Sequence, residues 1–170
     1  MAKFIESYDG INGNYQFEYD DCDDFSILLR EKVTQIYAVC YLIENPGKII
    51  VVHNSKKDTW GLIGGSIEKG ESYEETLRRE LHEEGNVNVV DWLPIGYQKV
   101  VNLDTGEYSY QLRCVVVGRQ DEGGFDGDPA GTVDQVAIIE PKDHSKYFDW
   151  KQIGRYVFQR AEELKKKLNY

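Results

Sequence analysis

Three carboxylates occupy a place where a helix gains nothing from them. Ser72-Tyr73-Glu74-Glu75 reads as a helix start, with Ser72 capping the backbone and Glu75 reaching back to complete a capping box. Tyr73, Leu77 and Leu81 recur every four residues as an apolar stripe. Glu80, Glu83 and Glu84 then fall at i, i+3 and i+4 and project from one flank of the last turns. Like charges at this spacing repel, and negative charge at a helix C-terminus opposes the macrodipole, at roughly 0.3–1 kcal/mol per residue. At about 100° per residue, Glu84 also falls between Leu77 and Tyr73, on the side that faces the core. A divalent cation removes all of these objections together. Hard cations such as magnesium prefer oxygen ligands, keep several waters and complete their shell with phosphates.

A helix of this kind needs a framework. Gln35 to Ile43 and Lys48 to His53 are apolar, β-branched runs joined by Glu44-Asn45-Pro46-Gly47, a strong hairpin signal. Ile95 to Val101 and Tyr108 to Gly118 read as a second strand pair, connected through Asp104-Thr105-Gly106. Val133 to Glu140 is a further strand, stopped by Pro141. From Asp149 onward, Trp150, Ile153, Val157, Ala161, Leu164 and Leu168 give a long amphipathic helix. Strands interleaved with two such helices predict an α/β fold, a mixed sheet between helices. Tyr15 to Tyr19 reads as a strand and Asp24 to Glu31 as a short helix or turn.

With 170 residues the chain is long enough for one well-buried core, and its composition, 41% hydrophobic and 29% charged, is that of a globular protein. Met1-Ala2-Lys3-Phe4 opens no signal peptide, and no apolar run is long enough to span a membrane. Cys22, Cys40 and Cys114 are odd in number and lack metal-ligand spacing, so they read as reduced thiols in a cytoplasmic protein. A net charge of −10 argues against sequence-independent nucleic-acid binding, which needs a basic footprint. It also means that an anionic phosphate substrate is repelled unless cations reverse the local potential.

The stretch Gly65 to Val87 resembles the signature of the Nudix family, G-x5-E-x7-R-E-U-x-E-E-x-G-U with U a bulky aliphatic residue. Gly65, Glu71, Arg79, Glu80, Leu81, Glu83, Glu84 and Val87 stand in register. Asn86 replaces the last glycine, with Gly85 just before it, and either can host the left-handed exit from the helix. Trp60-Gly61-Leu62-Ile63-Gly64-Gly65 is similar to the usual lead-in, with Ile63 in place of a common proline.

The resemblance implies an α/β/α sandwich, with residues 35–170 as the Nudix hydrolase domain and 1–34 as an N-terminal extension of it. It further implies that Glu80, Glu83 and Glu84 bind Mg2+ (or Mn2+), helped by a backbone carbonyl near Gly65, and that Glu71 and Arg79 clamp loop to helix as a structural salt bridge. The reaction implied is attack of water on one phosphorus of a diphosphate, with metal polarising the phosphoryl oxygens. Glu80 and Glu83 are then the catalytic carboxylates, with Glu83 or a loop acid as general base. Asp121, Glu122, Asp126, Asp128 and Asp134, in or beside an acidic glycine-rich segment, are the loop candidates; the same segment also reads as a solvated connector.

Tyr97, Tyr108 and Tyr110 are candidate substrate contacts that could stack a base, against the plainer reading of sheet packing, and Arg113 and Lys99 are candidate phosphate contacts. Between Pro94 and Pro129 there is no proline, whereas ADP-ribose-specific members tend to carry one there. Nucleoside triphosphates, dinucleoside polyphosphates and nucleotide sugars stay open as substrates. So does a non-catalytic nucleotide-binding or regulatory domain. Relatives are often dimers, so a homodimer is the expected assembly.

Other acidic and basic runs have plainer readings. Asp20 to Asp24 is a charged turn, and Lys165 to Lys167 complements a helix C-terminus. Asp126-Gly127-Asp128 looks like a fragment of a calcium loop, but Pro129 follows and the closing glutamate is missing.

Overall fold

Within the run Val33–Leu42, alternate residues serve two different cores, and that alternation sets the architecture. Ile36, Ala38, Cys40 and Leu42 join one buried cluster, while Val39 and Tyr41 join another. A strand buried on both faces must lie inside a sheet covered on both sides. The structure is a computed structural model that describes residues 3–10, 13–168 and 170. In chain order its elements are β1 (Phe4–Gly10), β2 (Gly13–Asp21), β3 (Val33–Leu42), β4 (Ile49–Asn54), β5 (Thr59–Gly61) and β6 (Ile63–Ser66). There follow α1 (Tyr73–Gly85), β7 (Val87–Asn102), β8 (Tyr108–Gln120), β9 (Val133–Ile139) and α2 (Lys151–Lys165).

The strands form one mixed sheet in the order β1-β2-β7-β8-β3-β4-β5, with β6 paired to β3 and β9 to β4. Only β3 and β8 run parallel among these pairs, with Tyr37 beside Arg113. The opposite edge of β3 is shared: its first half pairs with β6, where Tyr37 meets Gly64, and its second half with β4. One cluster seats Leu77 and Leu81 of α1 against Ile36, Ile50, Ile63 and Leu112. The other seats Ile153, Val157, Ala161 and Leu164 of α2 against Val39, Ile49, Val51 and Val115. Each such side chain contributes about 1.5–3 kcal/mol on burial, so packing rather than helix propensity holds both helices in place. The result is the α/β/α sandwich expected from the sequence.

Some boundaries differ from the sequence reading. β7 begins at Val87, not Ile95, because register shifts at Val89/Asp91 and Pro94/Gly96 carry the strand past residues that break its pattern. The short β5 and β6 were not expected. Nor was β1, which pairs with β2 and through it extends the sheet, β2 lying against β7. Asp24 to Glu31 contains two 3-10 turns, Phe25–Ile27 and Arg30–Lys32. Cys22, Cys40 and Cys114 are free and buried. Among the described residues no helix is long and apolar enough to cross a membrane.

Candidate active site

Helix α1 is fixed at both ends by its own sequence. Ser72 accepts from the Glu75 N–H and the Glu75 carboxylate accepts from the Ser72 N–H, so the capping box is complete. At the exit Asn86 adopts φ 54°, ψ 41° and its N–H returns to the His82 carbonyl. The left-handed residue is therefore Asn86. Gly85 stays helical for a packing reason: a Cβ there would sit 2.7 Å from Ile63 Cδ1. The Asn86 side chain donates to the Gly124 carbonyl at 2.9 Å and ties the 121–132 loop to the helix end.

Arg79 organises the acids. Its Nε and Nη2 grip both oxygens of Glu71 at 2.7 and 3.0 Å, Nη2 reaches the Ser66 carbonyl, and Nη1 donates to Glu80 at 2.8 Å. Glu83 lies 3.5 Å from the same Nη1. This fork holds the Glu71 carboxyl down to about 2, with the Glu68 N–H and the Thr76 hydroxyl adding to it. Burial pushes Glu80 above its ordinary value even against Arg79. The clamp of Glu71 and Arg79 thus has the geometry of a salt bridge joining the loop before α1 to the helix.

Glu84 lies deeper. It takes one backbone hydrogen bond, from the Gly64 N–H at 3.1 Å. Burial raises its carboxyl to about 8; the Gly64 N–H opposes that rise, and the charges of Glu80, Asp128 and Glu83 reinforce it. One arginine therefore faces four neighbouring glutamates, and Glu84 is the least compensated. The two glycines before the helix are required by contact. At Gly64, with φ +147°, a Cβ would lie 2.1 Å from the Ile36 carbonyl oxygen, and at Gly65 it would lie 2.6 Å from Glu80 Oε1.

Among the described residues no three of His, Cys, Asp or Glu converge as a ready-formed ligand set. Arg79 draws Glu80 toward Glu71, and Glu84 turns to Gly64. What the site presents is an all-oxygen donor set with surplus negative charge and a glycine-lined gap beside it. That fits a hard divalent cation, which keeps waters and takes the rest of its shell from phosphate. Such a cation would polarise phosphoryl oxygens and lower the pKa of an attacking water.

The loop acids separate by their surroundings. Burial would raise Asp128, but N–H groups of Val133, Ala130 and Thr132 outweigh it and hold the carboxylate ionised; it is also the loop acid whose charge reaches Glu84. Asp134 is bonded to His53 Nδ1 at 2.7 Å, and Asp121 accepts from the Asn88 amide at 2.6 Å. Glu122 and Asp126 are exposed. His82 is also exposed, as its place on the helix predicts.

A cavity of about 470 Å³ opens from Gly64 and Glu84 toward α2. Tyr37, Trp60, Trp150, Phe17, Gln98, Gln111 and Arg113 are among its walls, and residues 6–8 of β1 close one side. Arg113, a candidate substrate contact from the sequence, lies in this wall. Tyr97, Tyr108 and Tyr110 are not among the cavity's walls. They stack edge to face at 5.3 and 5.6 Å, and Tyr97 and Tyr110 pack against the core on the α1 side. Lys99 sits over Tyr108 and pairs with Glu18. Successive strand residues point to opposite faces, so the cavity receives Gln98 and Gln111, one position along from Tyr97 and Tyr110, and Arg113, two further along. Period-two alternation from Arg113 back to Gln111 was available in the sequence. Trp150 and Tyr37 had no such signal, because only the tertiary fold brings them to Arg113.

The fold and the acidic helix end meet in a known family. Residues 33–161 match the NUDIX domain family model, and the chain belongs to that family, which supports a hydrolase of the Nudix kind. Solved structures with a similar fold include the Bacillus subtilis pyrophosphohydrolase BsRppH, at 13% identity and TM-score 0.69, over 93% of this chain and 96% of that one. The NUDIX domain of Shewanella oneidensis NrtR, complexed with ADP ribose, is 19% identical with TM-score 0.60, over 82% and 92%. A C. elegans Ap4A hydrolase is 14% identical with TM-score 0.53, over 78% and 96%.

Proposed function

We propose that this protein is a magnesium-dependent (or manganese-dependent) Nudix hydrolase that cleaves the diphosphate linkage of a nucleoside diphosphate joined to another group. The observation that carries this reading is the Glu84 carboxyl, half-buried in the cavity wall, raised to about 8 and surrounded by further carboxylates. Folding gives little compensation for placing it there; a cation would. In this reading Glu80, Glu83, Glu84 and the Gly65 carbonyl hold the metal, and Arg79 with Glu71 fixes the helix against the loop that carries Gly65. Glu83, only partly paired with Arg79, takes the proton of the attacking water, with the loop acids Glu122, Asp126, Asp128 and Asp134 as the other candidates. The cavity receives the nucleoside side of the substrate. Free nucleotides in the cytoplasm, not nucleic acids, are the substrate class that a chain of net charge −10 suits.

The test is chromatographic detection of the split products, a nucleotide plus pyrophosphate, a second nucleotide or a sugar phosphate, from nucleoside triphosphates, dinucleoside polyphosphates and nucleotide sugars with magnesium or manganese. Glu83→Gln and Glu84→Gln are assayed alongside. Turnover of one class that falls more than about 100-fold in both variants supports the reading. Full activity in Glu84→Gln would overturn the metal assignment. Nucleotide binding without turnover under any metal would leave a recognition domain instead.

A further inference from the structure

Arg113 is a buried cation without a counter-ion. The residue is 4% exposed, and among the described residues no carboxylate lies within salt-bridge distance of its guanidinium. Two of its five N–H groups are used, by the Leu112 carbonyl and by Gln111 Oε1, both at 3.1 Å. Its Nε has no partner at all. The rings of Tyr37 and Trp150 flank it at 5.0 and 5.4 Å, and the whole group forms part of the cavity wall. An unpaired buried guanidinium is costly to fold around. Nε is buried, so an acceptor from the cavity would have to reach the terminal N–H groups.

Two acceptors are conceivable, a phosphate or the edge of a base, and register favours the second. Gly64, Tyr37 and Arg113 are successive partners across β6, β3 and β8. Two inter-strand steps set Arg113 about 10 Å from Gly64, which holds Glu84. A backbone separation of that size suits the base of a nucleoside whose diphosphate lies at Glu84, and the lysine variant below separates this from a phosphate contact. Trp60 and Phe17 add flat apolar walls, which a planar ring uses and a phosphate does not.

We propose that Arg113 determines specificity, selecting a purine with a keto edge, the guanine class, over adenine. The donors that remain on Arg113 match adjacent O6 and N7 acceptors, the pairing arginine makes with guanine elsewhere. Gln111 already commits one lone pair to Arg113 and one N–H to Gln35 at 2.7 Å, so its amide orientation is set by those partners rather than by an adenine edge. Adenine would bring its N6 donor against N–H groups. Gln98 and Glu6, also in the wall, carry acceptors for the remaining N–H groups of guanine.

This inference rests on the cavity being the nucleoside site of the proposed hydrolase, so its test is made by binding. Calorimetric titration of the whole chain without magnesium compares GDP, IDP, 7-deaza-GDP and ADP. GDP should bind about 10- to 100-fold more tightly than ADP, IDP should follow GDP, and 7-deaza-GDP should lose most of the preference for want of N7. In Arg113→Gln and Arg113→Lys the GDP-to-ADP ratio should fall toward one. Lysine keeps the charge but not the fork, so a phosphate contact would survive that change where base reading would not. Equal affinity for GDP and ADP, 7-deaza-GDP binding like GDP, or no binding of any of the four would overturn the proposal. The comparison among ligands uses the unaltered protein, so it stands even if an Arg113 variant fails to fold. Turnover of guanosine and adenosine substrates alike would spare the hydrolase and sink the base assignment. GDP-selective binding without turnover would do the reverse.

Discussion

The two helices are anchored in opposite ways. α1 carries its own start and stop: Ser72 and Glu75 cap each other across three residues, and Asn86 turns the chain out. α2 carries no side-chain cap at Trp150, and Lys151 stands at φ 49°. Its first free N–H groups are met from the other end of the chain, where the Glu6 carboxylate of β1 accepts from Gln152 at 3.1 Å and from Ile153 at 3.4 Å. Asp149 takes the Lys151 N–H at 2.8 Å. The helix that carries the glutamate cluster is thus locally determined, while the helix whose start forms a cavity wall depends on the N-terminal hairpin. A self-capped α1 keeps the acidic end in one geometry whatever the rest of the sheet does. The position of Trp150 beside Arg113, by contrast, is set jointly by residues some 140 positions apart.

Removing the centre of the local design should have the largest effect. Arg79→Ala strips the partner from Glu71 and Glu80 and should cost about 2 kcal/mol, between an exposed and a fully buried ion pair, as read by urea unfolding. It should also abolish detectable turnover. The pH profile checks the cause. Glu71 is held below its ordinary 4.5 at about 2, so the stability it adds is full above pH 4.5 and is lost as pH falls from 4.5 to 2. In Arg79→Ala that acid limb should flatten; an unchanged limb would mean that the clamp does not set the Glu71 charge.

Gly65→Ala tests position more than stability. The new Cβ would meet Glu80 Oε1 at 2.6 Å, so the carboxylate must swing away from Arg79. Activity should fall on the order of 100-fold, as for a misplacement of about 1 Å, while the melting temperature shifts only a few degrees. A stable, fully active variant would show that Glu80 need not occupy this place.

How much of this was readable beforehand follows the same division. The capping box, the apolar stripe, Glu84 on the core side and the Glu71–Arg79 pair all lie within a few turns of chain, where periodicity and capping rules apply, and each was read from residue spacing or family resemblance. The second halves of β3 and β8 were legible because a strand buried on both faces reads as a continuous apolar run. β1 was not, since an edge strand with Ile5 and Tyr8 exposed has little pattern to show. The cavity was half legible. Arg113 was named, but the tyrosines beside it point to the other face, because a one-residue step along a strand exchanges faces. Glu6 was invisible as a cap, since only the folded sheet brings it to α2.

Paired cap deletions sharpen the contrast at smaller cost. Ser72→Ala and Glu6→Ala should each lose about 1 kcal/mol, the usual value of an N-cap. Their consequences should differ in place. Hydrogen exchange should accelerate only in the first turn of α1 for Ser72→Ala. For Glu6→Ala it should accelerate in both β1 and the start of α2, with weakened nucleotide affinity because the cavity wall loosens. Identical exchange patterns would erase the distinction between a helix capped by its own sequence and one capped from afar.

The smallest effect is expected at the helix exit, where the family signature has glycine and this chain has Asn86. Glycine removes the Cβ from a left-handed residue, which is favourable, but it also removes the 2.9 Å bond from the Asn86 amide to the Gly124 carbonyl. The two changes oppose each other, so Asn86→Gly should alter stability by less than about 0.5 kcal/mol. Asn86→Ala loses the bond and keeps the backbone penalty, and should cost about 1–2 kcal/mol. If asparagine serves only the turn, the glycine variant should match the wild type in every respect. If it also anchors the acidic loop, proteolysis between residues 121 and 132 should quicken in Asn86→Gly despite unchanged global stability, because only the loop's start is then held, by the Asp121 N–H on the Asn86 carbonyl and the Asn88 amide on Asp121.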